Sequence, residues 1–441
     1  MTIFDRAERR SERTRLAFAY PPTRGSSAFA AQFDLPLGDL GSGAVNTVPS
    51  VYGGSPTATF ARTTLAWTIL LDGTIGLVAS NTARSYYFPN GTYGGYLSEA
   101  QRINRCLQSQ NFSITWVAVG TPTITGGNVT AGVLSLDLIG DDSAVALEGY
   151  TQAITFVGDA TKAISVYVKQ GTATSSVIRL RDTTVPADRL LAAITWSGTE
   201  PVVTMTTGTD LTGTVSVQQL GTSGIYRLSF LATAVTAANT NSLEAYPATD
   251  AALDVTATGT INIGGWNCED AAFSSTYIPT TTAVVTRSGD ALSYPSSGNV
   301  DATVGTLYCE GSLTHSVGTG ATEEFVSFGG SIARGLLILT AASVGNIIST
   351  ADGPNNLSKS GLPSFVNAVG KFALSWGGAG MALTGGGLSP GTSAFDGDQN
   401  ITNISIGTDG VANGRPLFGT VKNVRFWKSQ LSNAQLQAIT V

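Results

Sequence analysis

The sequence predicts an all-β chain in which an extended N-terminal arm with a short helix precedes two tandem antiparallel β-sandwiches of the jelly-roll type. Only 12% of the 441 residues are charged, and the 52 glycines are accompanied by many Thr, Ser and Ala residues. Short segments of alternating apolar and polar residues recur between turns rich in Gly, Thr and Asp, which is typical of sandwiches. Helical spacing of apolar residues is rare along the chain.

The N-terminal 57 residues are predicted to form an anchoring arm. Arg6–Arg15 is a run of mixed charge with enough good helix formers for about two or three helical turns. A solvated chain end is the alternative for this run. Residues 21–57 are rich in Pro and Gly, which indicates an extended segment that lies along a partner.

Residues 58–107 are predicted as a β-rich segment that leads into a jelly roll at 108–290. Aliphatic residues alternate with Ser, Tyr and Lys in Ile164–Lys169, and the large residues of Tyr226–Phe230 share one face. These strands predict a core on one face and a polar surface on the other. Residues 291–300 have the composition of a linker, and a second sandwich is expected at 301–441.

Length and charge limit the possible partners. A chain of 441 residues can bury a core in each of two or three domains. The formal net charge of -6 and the isoelectric point near 4.9 disfavour a broad nucleic-acid surface, so we predict no nucleic-acid partner. No apolar run reaches transmembrane length, and the first residues lack the order of a signal peptide, which predicts no membrane insertion.

The thiols and the single histidine argue against catalysis. Cys106, Cys268 and Cys309 have no metal-ligand spacing and predict reduced, buried thiols formed in a reducing cytoplasm. His315 has no partners nearby for a catalytic triad. Glu323 and Glu324 are adjacent, so on one regular strand they point to opposite faces and do not flank one sugar. We predict that the protein is not an enzyme.

Five segments form an ordered set of motifs over about residues 58–290: Phe60–Arg62 (FAR), Gly94–Asn104 (GGYLSEAQRIN), Ser165–Lys169 (SVYVK), Gly224–Ser229 (GIYRLS) and Gly264–Arg287, which contains SSTYIPT and ends in VVTR. They resemble a carbohydrate-binding-type jelly roll found in structural proteins of bacteriophage virions. Trp266, Cys268 and Ile225 depart from the pattern of that family, which bears on ligand specificity. The resemblance implies a jelly roll and a place in a virus particle.

The C-terminal domain carries a second resemblance. Gly305–Leu313, Lys371–Trp376 and Leu417–Leu436 are similar to the first, central and last strands of laminin-G or concanavalin-type lectin sandwiches. In that family the first and last strands pair. The resemblance implies a lectin-like β-sandwich at the end of the chain.

Sugar binding requires aromatic platforms and fixed polar groups on an exposed sheet face. Strand parity places such groups together in two segments, residues 177–182 and 242–246. The candidate carbohydrate-binding residues are Arg179, Arg181, Trp196, Glu244, Tyr246 and Trp376. The alternative is that the aromatic rings are core or rim residues and the arginines are paired surface charges.

One loop carries a weak calcium motif. Asp396, Asp398 and Asn400 place oxygen-bearing side chains at alternate positions, as looser calcium loops do. A solvated turn is the alternative. We expect no other cofactor.

Together the resemblances predict a virion surface protein, a fibre or spike made in the host cytoplasm, that binds host cell-surface polysaccharide for adsorption. Residues 1–57 would anchor it to other virion proteins, and many copies would add weak contacts into avidity. We expect a homo-oligomer, with a trimer as the usual state of fibres, although no heptads enforce one. The alternatives are a head or tail decoration protein without a glycan ligand and a capsule-degrading glycoside hydrolase.

Overall fold

The computed structural model describes residues 31–34, 59–88, 90–207, 216–297, 300–315, 322–328, 335–341, 345–352, 355–399, 401–408 and 415–441. Within these residues nearly all regular structure is strand, and the strands pair antiparallel in their sheets. The described residues divide into a middle unit, Phe60–Asp290, and a C-terminal unit, which comprises Ala31–Asp34, Thr59 and Ala291–Val441. The predicted all-β fold of tandem antiparallel sandwiches is confirmed.

The first seven strands are short: β1 (Ala31–Asp34), β2 (Thr59–Ala61), β3 (Ala66–Ile69), β4 (Ile75–Val78), β5 (Arg84–Tyr87), β6 (Tyr93–Ser98) and β7 (Arg102–Asn104). Strands β3 and β4 form a hairpin, and so do β5 and β6. Strands β3 to β7 belong to the same compact unit as the sandwich that follows them, whereas β1 belongs to the C-terminal unit.

The sandwich of the middle unit is built from β8 (Val117–Val119), β9 (Thr123–Ala131), β10 (Leu134–Asp141), β11 (Gly149–Ile154), β12 (Ala160–Gln170), β13 (Ser175–Asp182), β14 (Ala187–Ser197), β15 (Glu200–Thr207), β16 (Ser216–Gln219), β17 (Tyr226–Val235), β18 (Asn241–Tyr246) and β19 (Gly259–Glu269). One sheet has the order β16-β17-β12-β19-β10-β9 and the other β15-β14-β13-β18-β11-β8. Inward-facing residues of both sheets, such as Val166, Phe230, Ile178 and Leu243, form one buried cluster. Strand β20 (Val285–Arg287) then pairs with β7.

The outer face of β12 is covered, contrary to the polar surface that alternation predicts. Tyr167 is buried and packs edge-on against Tyr277, with ring centroids 6.0 Å apart. Arg227 donates to the hydroxyl of Ser165 at 2.9 Å, and its guanidinium also bonds the backbone of Ser275. The segment around the SSTYIPT motif therefore lies over this sheet, because its aromatic and hydroxyl groups complement those of β12.

A buried ionic clasp explains why several motif residues are charged. We define it as Arg62, Arg84, Glu99, Arg287 and Asp290. Arg62 pairs with Asp290 at 2.9 Å, Arg84 bonds Asp290 and pairs with Glu99 at 2.8 Å, and Arg287 pairs with Glu99 at 2.8 Å. All five side chains are at most 1% exposed, so each charge depends on its partners. The clasp ties the first β-strands of the middle unit to its last residues.

Asn104 makes a second buried connection. Its Nδ2 donates to the carbonyl oxygens of Trp266 at 2.8 Å and Ile278 at 2.7 Å. Its Oδ1 accepts from the backbone N–H groups of Cys106 at 3.0 Å and Cys268 at 2.9 Å. One amide thus joins the end of β7 to the end of β19 and to Ile278, both far along the chain.

The C-terminal unit contains β21 (Ala291–Pro295), β22 (Gly305–Leu313), β23 (Thr322–Ser327), β24 (Gly335–Ala341), β25 (Gly345–Asp352), β26 (Asn355–Leu362), β27 (Gly370–Gly377), β28 (Gly380–Gly385), β29 (Gly391–Ser393), β30 (Asn403–Ile406), β31 (Gly419–Trp427) and α1 (Asn433–Ile439). Within this unit, β29-β28-β27-β22-β31 form one sheet, to which β1 adds at β31, and β21-β30-β23-β24-β25-β26 form the other. Phe325 stacks on Phe372 across the interior at 5.2 Å between ring centroids. The expected pairing of first and last strands is found between β22 and β31.

One predicted segment differs from the structure, and another lies outside the described residues. Residues 291–295 form strand β21 in the region expected to be a linker, because Leu292 and Tyr294 alternate into the interior and Leu292 pairs with Ile406 of β30. The helix that the structure describes is α1, which Ser432 caps in a capping box. The helix predicted within Arg6–Arg15 and the rest of the arm, apart from β1, lie outside the described residues.

Candidate functional site

The candidate site lies on the outer face of the sheet that contains β13, β14 and β18. Along β18, Leu243 and Ala245 enter the core, so Glu244 and Tyr246 point to the other face. Along β13, Ile178 and Leu180 enter the core, and Arg179 and Arg181 take the outer positions. Register brings Arg179 opposite Glu244. The structure thus brings together four of the six predicted sugar-binding residues.

Hydrogen bonds connect these residues to Asp188 of β14. Arg179 Nε donates to Asp188 Oδ1 at 2.6 Å, and its Nη1 lies 3.3 Å from Glu244 Oε2. Tyr246 donates its hydroxyl proton to the same Glu244 oxygen at 3.0 Å. Arg181 Nη1 is 3.5 Å from Asp188 Oδ1. We call Arg179, Arg181, Asp188, Glu244 and Tyr246 the outer-face cluster.

Burial and neighbouring charges determine the protonation states of Arg179 and Tyr246. Burial acts to lower the pKa of Arg179, but the hydrogen bond to Asp188 and the charge of Glu244 outweigh it and raise that pKa. Burial, and then the charge of Glu244, raise the pKa of Tyr246. Tyr246 therefore remains a hydrogen-bond donor at neutral pH, and Arg179 remains a cation.

Exposure within the cluster is graded. The side chains of Arg179 and Glu244 are each 9% exposed, whereas those of Arg181 and Asp188 are 34% and 20% exposed. A patch of Val177, Leu191, Ala193 and Tyr246 adjoins them, with Leu253 packed against it. Arg181 and Asp188 thus form the accessible part of a polar group whose deeper members are held in place.

Asp188 was not anticipated from the sequence. It lies opposite Arg181 across the β13–β14 hairpin, at a point where the register shifts between Leu180 and Arg181. A hairpin between the two runs could have indicated a cross-strand partner for the arginines. The bulge, however, makes simple parity counting unreliable there.

The two tryptophans do not join the cluster. Trp196 shares its strand face with Ile194 and packs, partly buried, against the inner core of the middle unit. Trp376 is fully buried in the C-terminal unit, where its Nε1 donates to the Asp301 carbonyl at 3.1 Å and its ring contacts Phe328. A buried ring has no free face for a pyranose. The predicted platform role of Trp376 is therefore wrong, and Trp196 faces away from the cluster.

The predicted calcium residues form a turn. Asp396 and Asp398 are exposed, and Asp396 Oδ1 accepts from the backbone N–H of Asp398 at 3.2 Å. Asn400 lies outside the described residues. In the part of the chain that the structure describes, no group of three or more His, Cys, Asp or Glu side chains could hold a metal ion.

The acidic and histidine side chains of β23 and its neighbours are engaged with protein groups. His315 Nε2 lies 3.0 Å from Glu323 Oε1, and Glu323 Oε2 accepts from the backbone N–H of Phe418 at 2.9 Å. Glu324 Oε1 pairs with Arg415 at 3.1 Å. These carboxylates are occupied by groups within the C-terminal unit.

No helix among the described residues is long and apolar enough to cross a bilayer.

Comparisons with known proteins give only distant likenesses. No family model matches this sequence, and no curated protein matches it. Among solved structures, the Ruminococcus gnavus IT-sialidase CBM40 bound to α2,3-sialyllactose matches with 16% identity and a TM-score of 0.25, over 32% of this chain and 83% of that one. Domain 4 of AbnA, a GH43 extracellular arabinanase from Geobacillus stearothermophilus, in complex with arabinotriose, matches with 14% identity and a TM-score of 0.25, over 35% and 73%.

A third match is to domains LG4-5 of the mouse laminin alpha1 chain. Its identity is 9% and its TM-score 0.23, over 66% of this chain and 88% of that one. At such scores the likenesses say nothing about a ligand of this chain.

Proposed function

We propose that this protein is a non-catalytic, carbohydrate-binding surface protein of a bacteriophage-type particle, which contacts host polysaccharide through the outer-face cluster. The observation that carries the proposal is the arrangement of Arg181 and Asp188 at the open edge of a buried network of Arg179, Glu244 and Tyr246. Residues 1–57 would anchor the protein to other virion proteins, and several copies would act together.

The cluster suits hydroxyl-rich ligands for a physical reason. Arg181 offers several N–H donors and Asp188 offers carboxylate acceptors, so neighbouring sugar hydroxyls can accept from one and donate to the other. The inner residues hold both groups in position before a ligand arrives, which lowers the ordering cost of binding. A single shallow contact of this kind is weak, and display in many copies would supply the avidity that adsorption requires.

The first test is binding of the full chain to an array of immobilised oligosaccharides that covers neutral hexoses, N-acetylhexosamines and uronic acids. Arg181→Ala should weaken binding about tenfold or more, because a hydrogen bond to a charged group contributes about 1.5–3 kcal/mol. Lys169→Ala is the matched control, since this half-buried cation bonds the Ser223 carbonyl on the other sheet. Equal binding by both variants would contradict a role for the cluster.

A second candidate is a structural decoration protein that stabilises a particle without a glycan ligand. It is favoured by the burial of Trp376 and Tyr246, which are 0% and 6% exposed and offer little stacking surface. Failure of a multivalent form of the full chain to bind any sugar on the array would favour decoration. Release of new reducing ends from a bound polysaccharide would instead support the hydrolase alternative.

A further inference from the structure

A depression lies on the C-terminal unit, far along the chain from the outer-face cluster. It has a volume of about 500 Å³ and is lined by four glycines and three other residues: Gly377, Gly378, Gly380, Gly397, Thr303, Ala394 and Phe395. These residues come from the β27–β28 turn, the loop that follows β29 and the loop that precedes β22. We call this depression the glycine basin.

Hydrogen bonds hold the walls of the basin in place. Gln430 accepts from the backbone N–H of Ala379 at 3.2 Å and donates to the carbonyl of Gly380 at 2.7 Å, which fixes the β27–β28 turn. The backbone N–H of Gln399 donates to the Ala302 carbonyl at 2.8 Å, which joins the other two loops. Trp376, at the end of β27, bonds the same loop through Asp301 at 3.1 Å. The basin is therefore formed before any ligand binds.

The glycines leave peptide groups accessible from the basin. A Cβ atom added at Gly378 or Gly397 would meet no other atom within 4 Å, so open space lies above both positions. At Gly380, by contrast, a Cβ would approach the Ser393 carbonyl to 2.6 Å. The backbone of Gly380 is thus packed closely against Ser393, whereas the space above Gly378 is open. Together these positions form a shallow surface that a flat ligand can reach.

The side chains of the loop that follows β29 indicate which class of ligand the basin binds. Phe395 is half-buried and supplies an aromatic ring, and the exposed carboxylates of Asp396 and Asp398 follow it directly. Among the described lining residues none is Lys or Arg, and the nearby carboxylates disfavour phosphates and other anions. A neutral sugar fits these features, because its C–H face packs on an aromatic ring while its hydroxyls donate to carboxylates and peptide carbonyls.

We propose that the glycine basin is a second carbohydrate subsite, which binds one neutral sugar ring of a polysaccharide against Phe395. This inference rests on the proposed function, that the protein binds polysaccharide. The two sites share no residue, so each is tested by its own variants.

Gly378→Leu is the sharpest test. The Gly378 backbone is outside the left-handed region and its Cβ position is open, so leucine fills the basin without backbone strain. Gly126→Leu is the matched control, because an added Cβ there meets only Asp137 Oδ1, at 3.7 Å, on an exposed strand of the middle unit. On the same oligosaccharide array, Gly378→Leu should lower affinity for neutral sugars at least fivefold with an unchanged melting temperature, and Gly126→Leu should not.

Phe395→Leu provides a second variant in case Gly378→Leu is unstable, since it keeps apolar volume but removes the flat ring, and it should also weaken binding. If the parent chain binds a sugar and both variants bind it equally well, the subsite is overturned while the proposed function stays in place. If the parent chain binds no sugar on the array, the proposed function fails and the subsite fails with it. Loss in the basin variants but not in Gly126→Leu would support the subsite.

Discussion

At the scale of single residues, Asn104 uses every hydrogen-bonding group of its side chain. Its Nδ2 donates two hydrogen bonds and its Oδ1 accepts two, all with backbone groups from separate segments. Few other side chains could do this, because a carboxylate has no donors and an aliphatic group has neither donors nor acceptors. The position of Asn104 within the GGYLSEAQRIN motif thus has a structural explanation.

Asn104→Asp should lower the free energy of unfolding by about 3 kcal/mol or more, because two carbonyls lose their donors and a charge is buried without a partner. Asn111→Asp is the control. Asn111 uses only its Oδ1, which accepts from Ser113, so an aspartate keeps that interaction and should change stability by less than about 0.5 kcal/mol. Urea unfolding of both variants measures the difference, and equal midpoints would contradict this role.

At the scale of elements, the ionic clasp makes the packing of the first and last strands of the middle unit sensitive to acid. Burial acts to raise the pKa of Glu99, but the charges of Arg287 and Arg84, with hydrogen bonds from Thr276, hold it at about 2. Its ordinary value is 4.5. Because the folded-state value is the lower one, the stabilisation is complete above about pH 4.5 and is lost as the pH falls towards 2.

Glu99→Gln should therefore be less stable than the parent protein at pH 7, by about 3–5 kcal/mol, since the variant leaves buried arginines with too few carboxylates. It should also lose the part of the acid dependence that lies between pH 4.5 and 2. Glu200→Gln, an exposed change at the first residue of β15, should leave both properties unchanged. The test is to measure the unfolding midpoints of both variants and of the parent protein across this pH range. If the stability of Glu99→Gln falls with acid as steeply as that of the parent, Glu99 is not the cause of the acid dependence.

Element by element, the sequence predicts what depends on strand parity and misses what depends on register. The inner faces of β12 and β17 follow from their alternation, and so does the shared outer face of Arg179 and Glu244. The same rule predicts that Trp196 faces the core, because it lies two positions after the core residue Ile194 on β14. Asp188 depends on a bulge, and the basin at Gly378 depends on loops from three places, which no local pattern encodes.

At the scale of the whole molecule, the two units keep separate thiols in separate cores. Cys106 and Cys268 belong to the core of the middle unit, and Cys309 lies on β22 of the C-terminal unit. All three are free and fully buried, and burial raises the pKa of Cys106 and of Cys309. At Cys106 and Cys309 the thiolate, the reactive form, is therefore scarce, and burial shields all three sulfur atoms from reagents.

We expect alkylating reagents to label no cysteine in the native protein within minutes and all three in strong denaturant. At intermediate urea, the mass increments report which unit opens first, because one label marks the C-terminal unit and two mark the middle unit. Mass spectrometry after brief iodoacetamide exposure measures this. Rapid labelling of Cys106 or Cys268 in native buffer would contradict a closed core.

The clasp also determines how the middle unit responds to a pulling force. Arg62 and Asp290 stand near the two ends of this unit, 228 positions apart in sequence, yet their side chains are bonded at 2.9 Å. Tension applied along the chain therefore enters and leaves the unit at one place, across a few ion pairs. While those pairs hold, the sandwich strands between them carry no load.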